Sequence, residues 1–437
     1  MNQEILGYIA ASLTTVSFLP QVIHTIKLRD TSSISLGMYS LFLVGTMCWL
    51  SYGVVLNSYP MIIANTLTVL LSFIIFVMKV CDVLKKGKEK FDVIHKVLHF
   101  MPAELAHDLA IQALKFYPKR KSFKSNNVDL SSEIFGCRFT NPVGLAAGFD
   151  KHGQAINGLA NLGFSHIEIG SVTPKSQYGN PKPRLFRLSS ENAIINRYGF
   201  NSHGSKKVKS RFLKPSSGCV TAINLGVNKN DFDYGNAFLE GVKSFNDKAD
   251  YITLNISSPN TDGLRDIHDP TVLEPIIEKI RCFQRDSNLV KPLVVKISPD
   301  NEAALEKDLL KFLVTADIDG VIVSNTTTDK SMLEHKYKDI SGGLSGLPLK
   351  EKSFQFLARA ASVLYGHKTI ISSGGIATGD DVYARLKLGA DLVQIYTSFI
   401  YQGPSVIDSI LQRLSELMIA DGYASVQDIK REIIYDR

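Results

Sequence analysis

Two hydrophobic patterns divide this chain into an N-terminal and a C-terminal part. Near the N-terminus, apolar runs cover residues 5–26, 36–56 and 61–80, and residues 31–78 contain no Asp, Glu, Lys or Arg. Each run has roughly the 20 residues that a helix needs to cross a bilayer core of about 30 Å. A soluble bundle would need charged outer faces, and a signal peptide would be one short run. The pattern predicts an all-α segment of three membrane spans over residues 1–82.

Basic residues indicate how this segment is oriented. Lys27 and Arg29 lie between the first two spans, and only Glu4 precedes the first. The residues after the third span include Lys85, Lys86, Lys88 and Lys90. Because basic loops stay on the cytoplasmic side, we expect the N-terminus outside and everything after the third span inside. This predicts a protein of the cell (inner) membrane with its C-terminal part in the cytoplasm.

A short amphipathic stretch follows the predicted spans. Ile94, Val97, Leu98 and Met101 share one helical face, and Pro102 suits the start of a second helix. We therefore predict a helical cap over residues 91–120. Composition leaves two interpretations open: the pair packs on the next domain, or it dips into the membrane interface and admits an apolar ligand.

The rest of the chain, residues 121–437, alternates between strand-like and helix-like stretches. The strand-like runs lie at residues 142–146, 165–169, 220–224, 251–254, 293–297, 320–323, 369–372 and 392–395. They are apolar, mostly β-branched and without alternation, as buried parallel strands are. Eight such units predict an α/β fold, a (β/α)8 TIM barrel. A doubly wound open sheet is the alternative, but its usual Gly-x-Gly-x-x-Gly turn is missing.

Polar residues follow each predicted strand, and a barrel brings these ends to one mouth. The segment NISSPNT at residues 255–261 follows the fourth strand. Taken alone it is an ordinary polar turn. At a barrel mouth, the amides of Asn255 and Asn260 can grip the edge of a flat, amide-rich ring, and Ser258 between them is a candidate proton acceptor.

Glycines at the mouth predict a phosphate-bearing cofactor. Gly374–Gly375 and Tyr396–Thr397 follow the last two strands, where barrels bind phosphate, and residues 342–346 are predicted to form a third glycine-rich loop. Lys151 and Lys296 are predicted to point into the same mouth, where a lysine would stabilise a reduced flavin ring.

Composition excludes other classes of protein. The 437 residues suit more than one domain, and the net charge of only +7 without one long basic block disfavours a nucleic-acid binder. The five cysteines form no close pair. We therefore expect no disulfide framework and no metal site, in a reducing compartment.

Three short motifs link the N-terminal segment to a known family. They are PQ at residues 20–21, WLSYG at residues 49–53, and Asn65 in the third span. With them the segment resembles the SWEET-type half transporters of the PQ-loop family. That resemblance implies that Trp49 and Asn65 line a sugar pocket between two copies, which would make the protein a homodimer. An anchor that has kept the fold and lost transport is the open alternative.

From residue 91 onward, the chain resembles the class 2, quinone-dependent dihydroorotate dehydrogenases. The shared motifs are AAGFDK at 146–151, GSVTP at 170–174, PRLFR at 183–187, NRYGFN at 196–201, NISSPNT at 255–261, GGLSG at 342–346, SSGG at 372–375 and, in the cap, PAELAH at 102–107. The resemblance implies a membrane-bound flavoenzyme that oxidises dihydroorotate to orotate through FMN, with a quinone as acceptor, in pyrimidine biosynthesis.

The same resemblance implies a role for individual residues. FMN is held by Ala147, Gly148, Lys151, Ser171, Asn228, Asn255, Lys296, Ser324, Gly346, Gly375, Tyr396 and Thr397. Dihydroorotate is held by Lys151, Asn196, Arg197, Tyr198, Gly199, Phe200, Asn255, Asn260, Asn325 and Thr326. Ser258 falls on the catalytic base, and His107, Arg187 and Tyr396 fall near the quinone site.

The sequence departs from the pattern of the resembled dehydrogenases at two positions. Val227 and Leu347 stand where the family usually has basic residues, which removes charge near the cofactor loops.

One alternative function is a sugar transporter with an accessory FMN barrel, and the intact strand-end residues speak against a degenerate barrel. Another is a class 1 enzyme using fumarate or NAD, but that class carries cysteine as the base where this chain has Ser258.

Overall fold

The computed structural model describes residues 34–85, 101–119, 127–215, 217–260 and 263–429, together with residues 8, 13–17, 20, 25, 31, 123 and 125. The chain divides into two compact units, Met1–Lys96 and Val97–Arg437. This division falls within the stretch predicted as the cap.

The described residues of the N-terminal unit include two long helices, α1 (Leu36–Val55) and α2 (Tyr59–Lys85). Both are long and apolar enough to cross a membrane, and they lie where the second and third spans are predicted. The turn between them is tight, because a Cβ at Gly53 would lie 3.0 Å from that of Met61. Most of the predicted first span, residues 5–26, lies outside the described residues, as do Lys27 and Arg29.

The C-terminal unit is built on a closed barrel of eight strands. They are β3 (Val143–Leu145), β4 (His166–Val172), β7 (Val220–Leu225), β8 (Tyr251–Asn255), β9 (Leu293–Ile297), β10 (Gly320–Val323), β12 (Thr369–Ser373) and β13 (Leu392–Ile395). Each pairs in parallel with its neighbours, and β13 closes on β3. The eight predicted strands and the barrel class are therefore confirmed.

The described part of the C-terminal unit contains the cap helix and the helices around the barrel. They are α3 (Ala103–Leu114), α4 (Ile156–Ala160), α5 (Ser205–Lys209), α6 (Tyr234–Phe245), α7 (Pro270–Asp286), α8 (Ala303–Thr315), α9 (His335–Lys338), α10 (Lys350–Leu364), α11 (Gly379–Lys387), α12 (Thr397–Gln402) and α13 (Val406–Ala420). The cap helix α3 begins at Ala103 with Pro102 in the preceding capping position. The part of the predicted cap before residue 101 lies outside the described residues.

A hairpin closes the amino-terminal end of the barrel. Its strands are β1 (Ser132–Ile134) and β2 (Cys137–Phe139). Phe139 is fully buried among the first residues of the barrel strands, including Val220, Tyr251 and Leu392. Because this end is filled by apolar side chains, a ligand has access only from the opposite end, as in other barrels.

A three-stranded antiparallel sheet rises beside the mouth and corrects one prediction. It consists of β5 (Leu185–Leu188), β6 (Ala193–Asn196) and β11 (Gly343–Gly346), with β6 in the centre. Residues 342–346 were predicted as a glycine-rich loop, which is wrong, since most of this segment is a strand. Glycine suits it for packing: a Cβ at Gly343 would lie 2.1 Å from Oγ1 of Thr326.

Candidate active site

The carboxyl ends of the barrel strands surround a cavity of about 450 Å³. The predicted cofactor residues that line it are Ala147, Gly148, Lys151, Ser171, Asn255, Lys296, Ser324, Gly346, Gly375, Tyr396 and Thr397. The predicted substrate residues that line it are Asn196, Tyr198, Gly199, Phe200, Asn260, Asn325 and Thr326, and Ser258 lines it as well. The structure thus brings nearly all the predicted site residues to one place.

Buried amides and hydroxyls form the floor of this cavity. The Asn255 amide donates to Oγ of Ser171 at 2.9 Å and to Oδ1 of Asn224 at 3.3 Å. The Asn325 amide donates to Oδ1 of Asn255 at 3.2 Å and to Oγ of Ser257 at 2.9 Å. Each amide is oriented by its neighbours, so the floor presents donors and acceptors in fixed positions.

Sequence reasoning missed part of this network. Glu168 is fully buried inside the barrel and accepts hydrogen bonds from the amides of Asn224 and Gln394, each at 2.5 Å. The nearby ammonium of Lys296 is buried too; burial lowers its pKa, and the Glu168 carboxylate opposes that effect. The strand that contains Glu168 also contains His166 and Ser171, so the local pattern does not single out this carboxylate.

Ser258 lies at the edge of the cavity and is almost fully buried. Its Oγ accepts a hydrogen bond from the backbone N–H of Asn260 at 3.3 Å, and the Asn260 amide donates to the carbonyl of Asn196 at 3.3 Å. These bonds hold the strand-end segment beside the sheet that rises from the mouth. Thr261, which ends the predicted motif, lies outside the described residues.

Phe200 also lines the cavity and depends on a neighbouring glycine. A Cβ at Gly226 would lie 3.0 Å from the Phe200 ring, so any larger residue there would displace it. Phe200 has a positive φ of 50°, as does the adjacent Gly199 at 63°. Both residues therefore hold a tight turn at the cavity wall.

Lys151 occupies a half-buried position between the cavity and the cap. Its Nζ lies 3.5 Å from the ring centre of Tyr198, a favourable cation–π position. Burial lowers the pKa of Lys151 to about 8, although Glu104 acts in the opposite direction. The lysine is thus cationic at neutral pH and close to losing its proton above it.

Of the residues predicted to hold the cofactor or the substrate, two lie away from the cavity lining. Asn228 bridges loops instead: its amide donates to the carbonyl of Lys175 at 2.9 Å and to Oε1 of Gln177 at 2.8 Å. The Arg197 guanidinium donates to the carbonyl of Pro183 at 2.9 Å. Both residues support the mouth loops. Asn224, which was not among the predicted site residues, belongs to the hydrogen-bond network at the cavity.

The cap helix is fixed to the barrel by a charged contact. The Arg184 guanidinium is almost fully buried and pairs with the Glu104 carboxylate at 2.7 Å. Arg187, predicted near the quinone site, donates to the backbone carbonyl of Met101 just before the helix. These contacts set the position of α3 over the loop that contains Phe149.

Aromatic contacts connect the cap with the cavity. The His107 ring on α3 meets Phe149 edge-on at 5.1 Å, and Phe149 meets Tyr396 edge-on at 6.0 Å. Burial lowers the pKa of His107 to about 3, and the nearby Lys151 charge adds to that effect. His107 is therefore neutral at physiological pH. Two of the three predicted quinone residues, His107 and Tyr396, thus contact the same phenylalanine.

Fold and site together define a (β/α)8-barrel enzyme with a cavity of cofactor size at the carboxyl ends of its strands. The family "Dihydroorotate dehydrogenase" matches residues 129–418, and the chain belongs to this family, which is flavin-dependent in general. It is 40% identical over 338 residues to the mouse protein "Dihydroorotate dehydrogenase (quinone), mitochondrial", covering 74% of this chain and 85% of that protein. A "Dihydroorotate dehydrogenase (quinone)" of Sulfurimonas denitrificans is 42% identical over 335 residues, covering 74% of this chain and 93% of that protein.

A solved structure supports the family assignment, and a second family match covers the N-terminal segment. The crystal structure of DHODH from Eimeria tenella in complex with ferulenol superposes with a TM-score of 0.70 at 36% identity, covering 76% of this chain and 95% of that chain. Residues 3–62 match the PQ loop repeat. Together with the apolar helices α1 and α2, this match supports membrane association of the N-terminal unit.

Proposed function

We propose that this protein oxidises dihydroorotate to orotate with FMN as its cofactor and a membrane quinone as the final acceptor. The main supporting observation is the cavity itself: it brings together Ser258, the amides of Asn255, Asn260 and Asn325, and two lysines at one barrel mouth. The names and the extent of the matching relatives support the same activity. The reaction belongs to the de novo synthesis of pyrimidines.

The residues of the mouth fit FMN. Gly375 has a positive φ of 67°, and a Cβ there would lie 2.3 Å from Cα of Lys350, so the backbone itself faces the cavity. Backbone N–H groups in such a turn suit a phosphate. Lys296 supplies a buried cation beside the polar floor, where it would stabilise an anionic ring. When bound, FMN supplies the acceptor for the hydride from C6 of dihydroorotate.

The other cavity residues bind and deprotonate the substrate. Asn255, Asn260 and Asn325 hold the amide edges of the dihydroorotate ring, and Lys151 binds its carboxylate. Ser258 removes the proton from C5. Because a serine hydroxyl is a weak base, it depends on its position and on a route that takes the proton away.

The cap provides access for the quinone. Leu105 and Leu109 are half exposed on one side of α3, and Phe116 beyond its end is largely exposed. This apolar surface suits the membrane interface, where quinone is concentrated. Neutral His107, together with Arg187 and Tyr396, lies along the proposed path. The domain arrangement is therefore a spanning segment at 1–82, a cap at 91–120 and a catalytic barrel at 121–437.

The spanning segment holds the enzyme in the cell membrane with the barrel on the cytoplasmic side. The support is the distribution of basic residues, which places the end of the third span inside. A second candidate function, sugar transport by paired copies of the segment, is favoured by the match to the PQ loop repeat.

The test is an absorption spectrum of the purified full-length protein. We expect a flavin band that dihydroorotate bleaches without oxygen and that a quinone then restores, with orotate as product. A protein without flavin, or a flavin that dihydroorotate leaves oxidised, would refute the proposal. Bleaching without restoration by quinone would refute only the acceptor.

A further inference from the structure

Arg385 lies buried behind the glycine turn at the cavity. It is on α11 and is only 1% exposed. Its Nη1 donates to Oγ of Ser372 at 2.8 Å, and its Nη2 donates to Oγ of Ser353 and to the carbonyl of Gly374, both at 2.8 Å. The guanidinium therefore directly contacts the turn that the cofactor phosphate would approach.

The charge of this guanidinium has no matching carboxylate among the described residues. The acid that acts on it is Asp381, which instead pairs with Nζ of Lys350 at 2.5 Å. The same carboxylate also accepts hydrogen bonds from the backbone N–H groups of Ala377 and Thr378, each at 2.9 Å. Burial lowers the pKa of Arg385 to about 10, so the side chain stays cationic at neutral pH. A buried cation without an anionic partner is costly, and a nearby ligand anion would offset that cost.

Arg385 also fixes the direction of the Gly374–Gly375 peptide. The Gly374 carbonyl accepts hydrogen bonds from Arg385 and from Oγ of Ser353, each at 2.8 Å. In a trans peptide the N–H points opposite to the carbonyl. The N–H of Gly375 is therefore directed away from Arg385, on the side where Gly374 and Gly375 line the cavity. Within the described part of the chain, no protein group accepts a hydrogen bond from that N–H.

We propose that Arg385 is the positioning residue for the flavin phosphate. It anchors the Gly374 carbonyl so that the Gly375 N–H faces the phosphate, and its buried charge attracts the phosphate through that peptide. The inference rests on the proposed use of FMN, and it makes Arg385 a determinant of FMN over flavins without a phosphate.

The experiment compares FMN with riboflavin, which has the same ring and no phosphate. Full-length protein is stripped of flavin, and the dissociation constant of each flavin is measured from its fluorescence. We expect Arg385→Gln to weaken FMN binding on the order of 10-fold or more, because the charged partner is removed, and to change riboflavin binding less than about threefold. Arg385→Lys keeps the charge and should recover most of the preference for FMN.

Two further variants make the result decisive. Arg413→Gln also removes one positive charge, but Arg413 lies on the exposed side of α13 and pairs with Asp380, so FMN binding should not change. Ser353→Ala removes one anchor of the Gly374 carbonyl with little loss of volume, and it serves if Arg385→Gln does not fold. We expect it to weaken FMN binding more than riboflavin binding.

Several outcomes would overturn the inference. They are an equal loss for both flavins, no loss for either, or an equal effect of Arg413→Gln. These results differ from failure of the proposed function. If the wild-type protein binds neither flavin, the proposed function fails; if it prefers FMN and the variants keep that preference, only the role of Arg385 fails.

Discussion

At the scale of single residues, Ser258 depends on its surroundings, because a serine hydroxyl is a poor base. Among the described residues, its Oγ accepts a hydrogen bond from the backbone N–H of Asn260. The side-chain amide of Asn260 in turn donates to the carbonyl of Asn196, in the sheet beside the mouth. We predict that Ser258→Ala slows reduction of the flavin by dihydroorotate by a factor on the order of 10² or more, measured by stopped-flow absorbance.

A thiol variant tests the same point. Ser258→Cys should lose less activity at high pH than at neutral pH, because a thiol ionises more readily than a hydroxyl. Orotate binding serves as the control and should stay close to wild type in both variants. Flavin reduction at an unchanged rate in Ser258→Ala would remove this serine from the mechanism.

Lys151 gives the site a pH dependence that can be measured without turnover. Since burial lowers its pKa to about 8, the side chain is cationic below that pH and neutral above it. The carboxylate of orotate prefers the cation. We predict that the dissociation constant of orotate is flat near pH 7 and rises above pH 8, approaching about 10-fold per pH unit.

The variant Lys151→Arg provides the comparison for this prediction. Arginine keeps its charge throughout this range. The affinity of the variant for orotate should therefore not fall between about pH 7 and 9, even if that affinity is weaker than the wild-type affinity. A wild-type affinity that is constant over the same range would show that Lys151 does not carry the carboxylate.

The sequence located most mouth residues but missed others for a physical reason. Asn255 ends a strand, Ser258 and Asn325 follow strands, and a parallel barrel brings all such ends together. Glu168 and Arg385 lie inside a strand and a helix, and the pattern of neighbours along the chain does not tell which of their faces is buried. Their roles depend on contacts that only the folded barrel creates.

At the scale of elements, the cap helix α3 combines a buried side with an exposed apolar one. Ala106, Ile111 and Leu114 are buried, whereas Leu105 and Leu109 are 47% and 44% exposed. We predict that the double change Leu105→Gln and Leu109→Gln raises the KM for a long-chain quinone on the order of 10-fold, because apolar contact with the membrane interface is lost. Flavin reduction by dihydroorotate should keep its rate.

A matched control is available on the barrel. Val290 is 60% exposed in the connection before β9, so Val290→Gln should leave both half-reactions unchanged. If the cap variant reduces quinone as well as wild type does, the apolar side of α3 is not the access route.

The elements that the sequence missed are those with little local signal. The barrel strands are apolar and β-branched, so each could be recognised alone. By contrast, β11 is the short segment Gly343–Gly346, and it becomes a strand only by pairing with β6 far earlier in the chain. Its glycines resemble a loop, and the long-range pairing that decides its structure leaves no periodic pattern.

At the scale of the whole molecule, the barrel unit has its own core. The compact unit Val97–Arg437 contains every described residue that lines the cavity. We therefore predict that a chain of residues 91–437 still binds FMN and is reduced by dihydroorotate, measured by its flavin spectrum. It should float with liposomes less completely than the full chain, because a cap helix anchors more weakly than spanning helices. Loss of flavin from the shortened chain would show that the barrel needs the membrane unit.

The N-terminal unit is either an anchor alone or half of a transporter. Trp49 is 57% exposed and meets the Tyr52 ring edge-on at 5.8 Å, while the Asn65 amide donates to the carbonyl of Met61 at 2.8 Å within its own helix. Even the three predicted spans are too few to enclose a polar pathway, so a transporting form needs at least two copies. If the unit transports, vesicles containing wild-type protein should take up a sugar, and both Trp49→Ala and Asn65→Ala should lower that uptake.

The oxidoreductase provides the internal control for this transport test. Dihydroorotate oxidation by the same vesicles should be equal for wild type and both variants. Trp49 and Asn65 belong to the N-terminal unit, whereas the cavity belongs to the C-terminal unit. A fall in uptake with unchanged oxidation would therefore assign transport to the membrane unit. Uptake no higher than in empty vesicles, across several sugars, would leave this unit as an anchor that keeps the cap at the bilayer surface, where its quinone is concentrated.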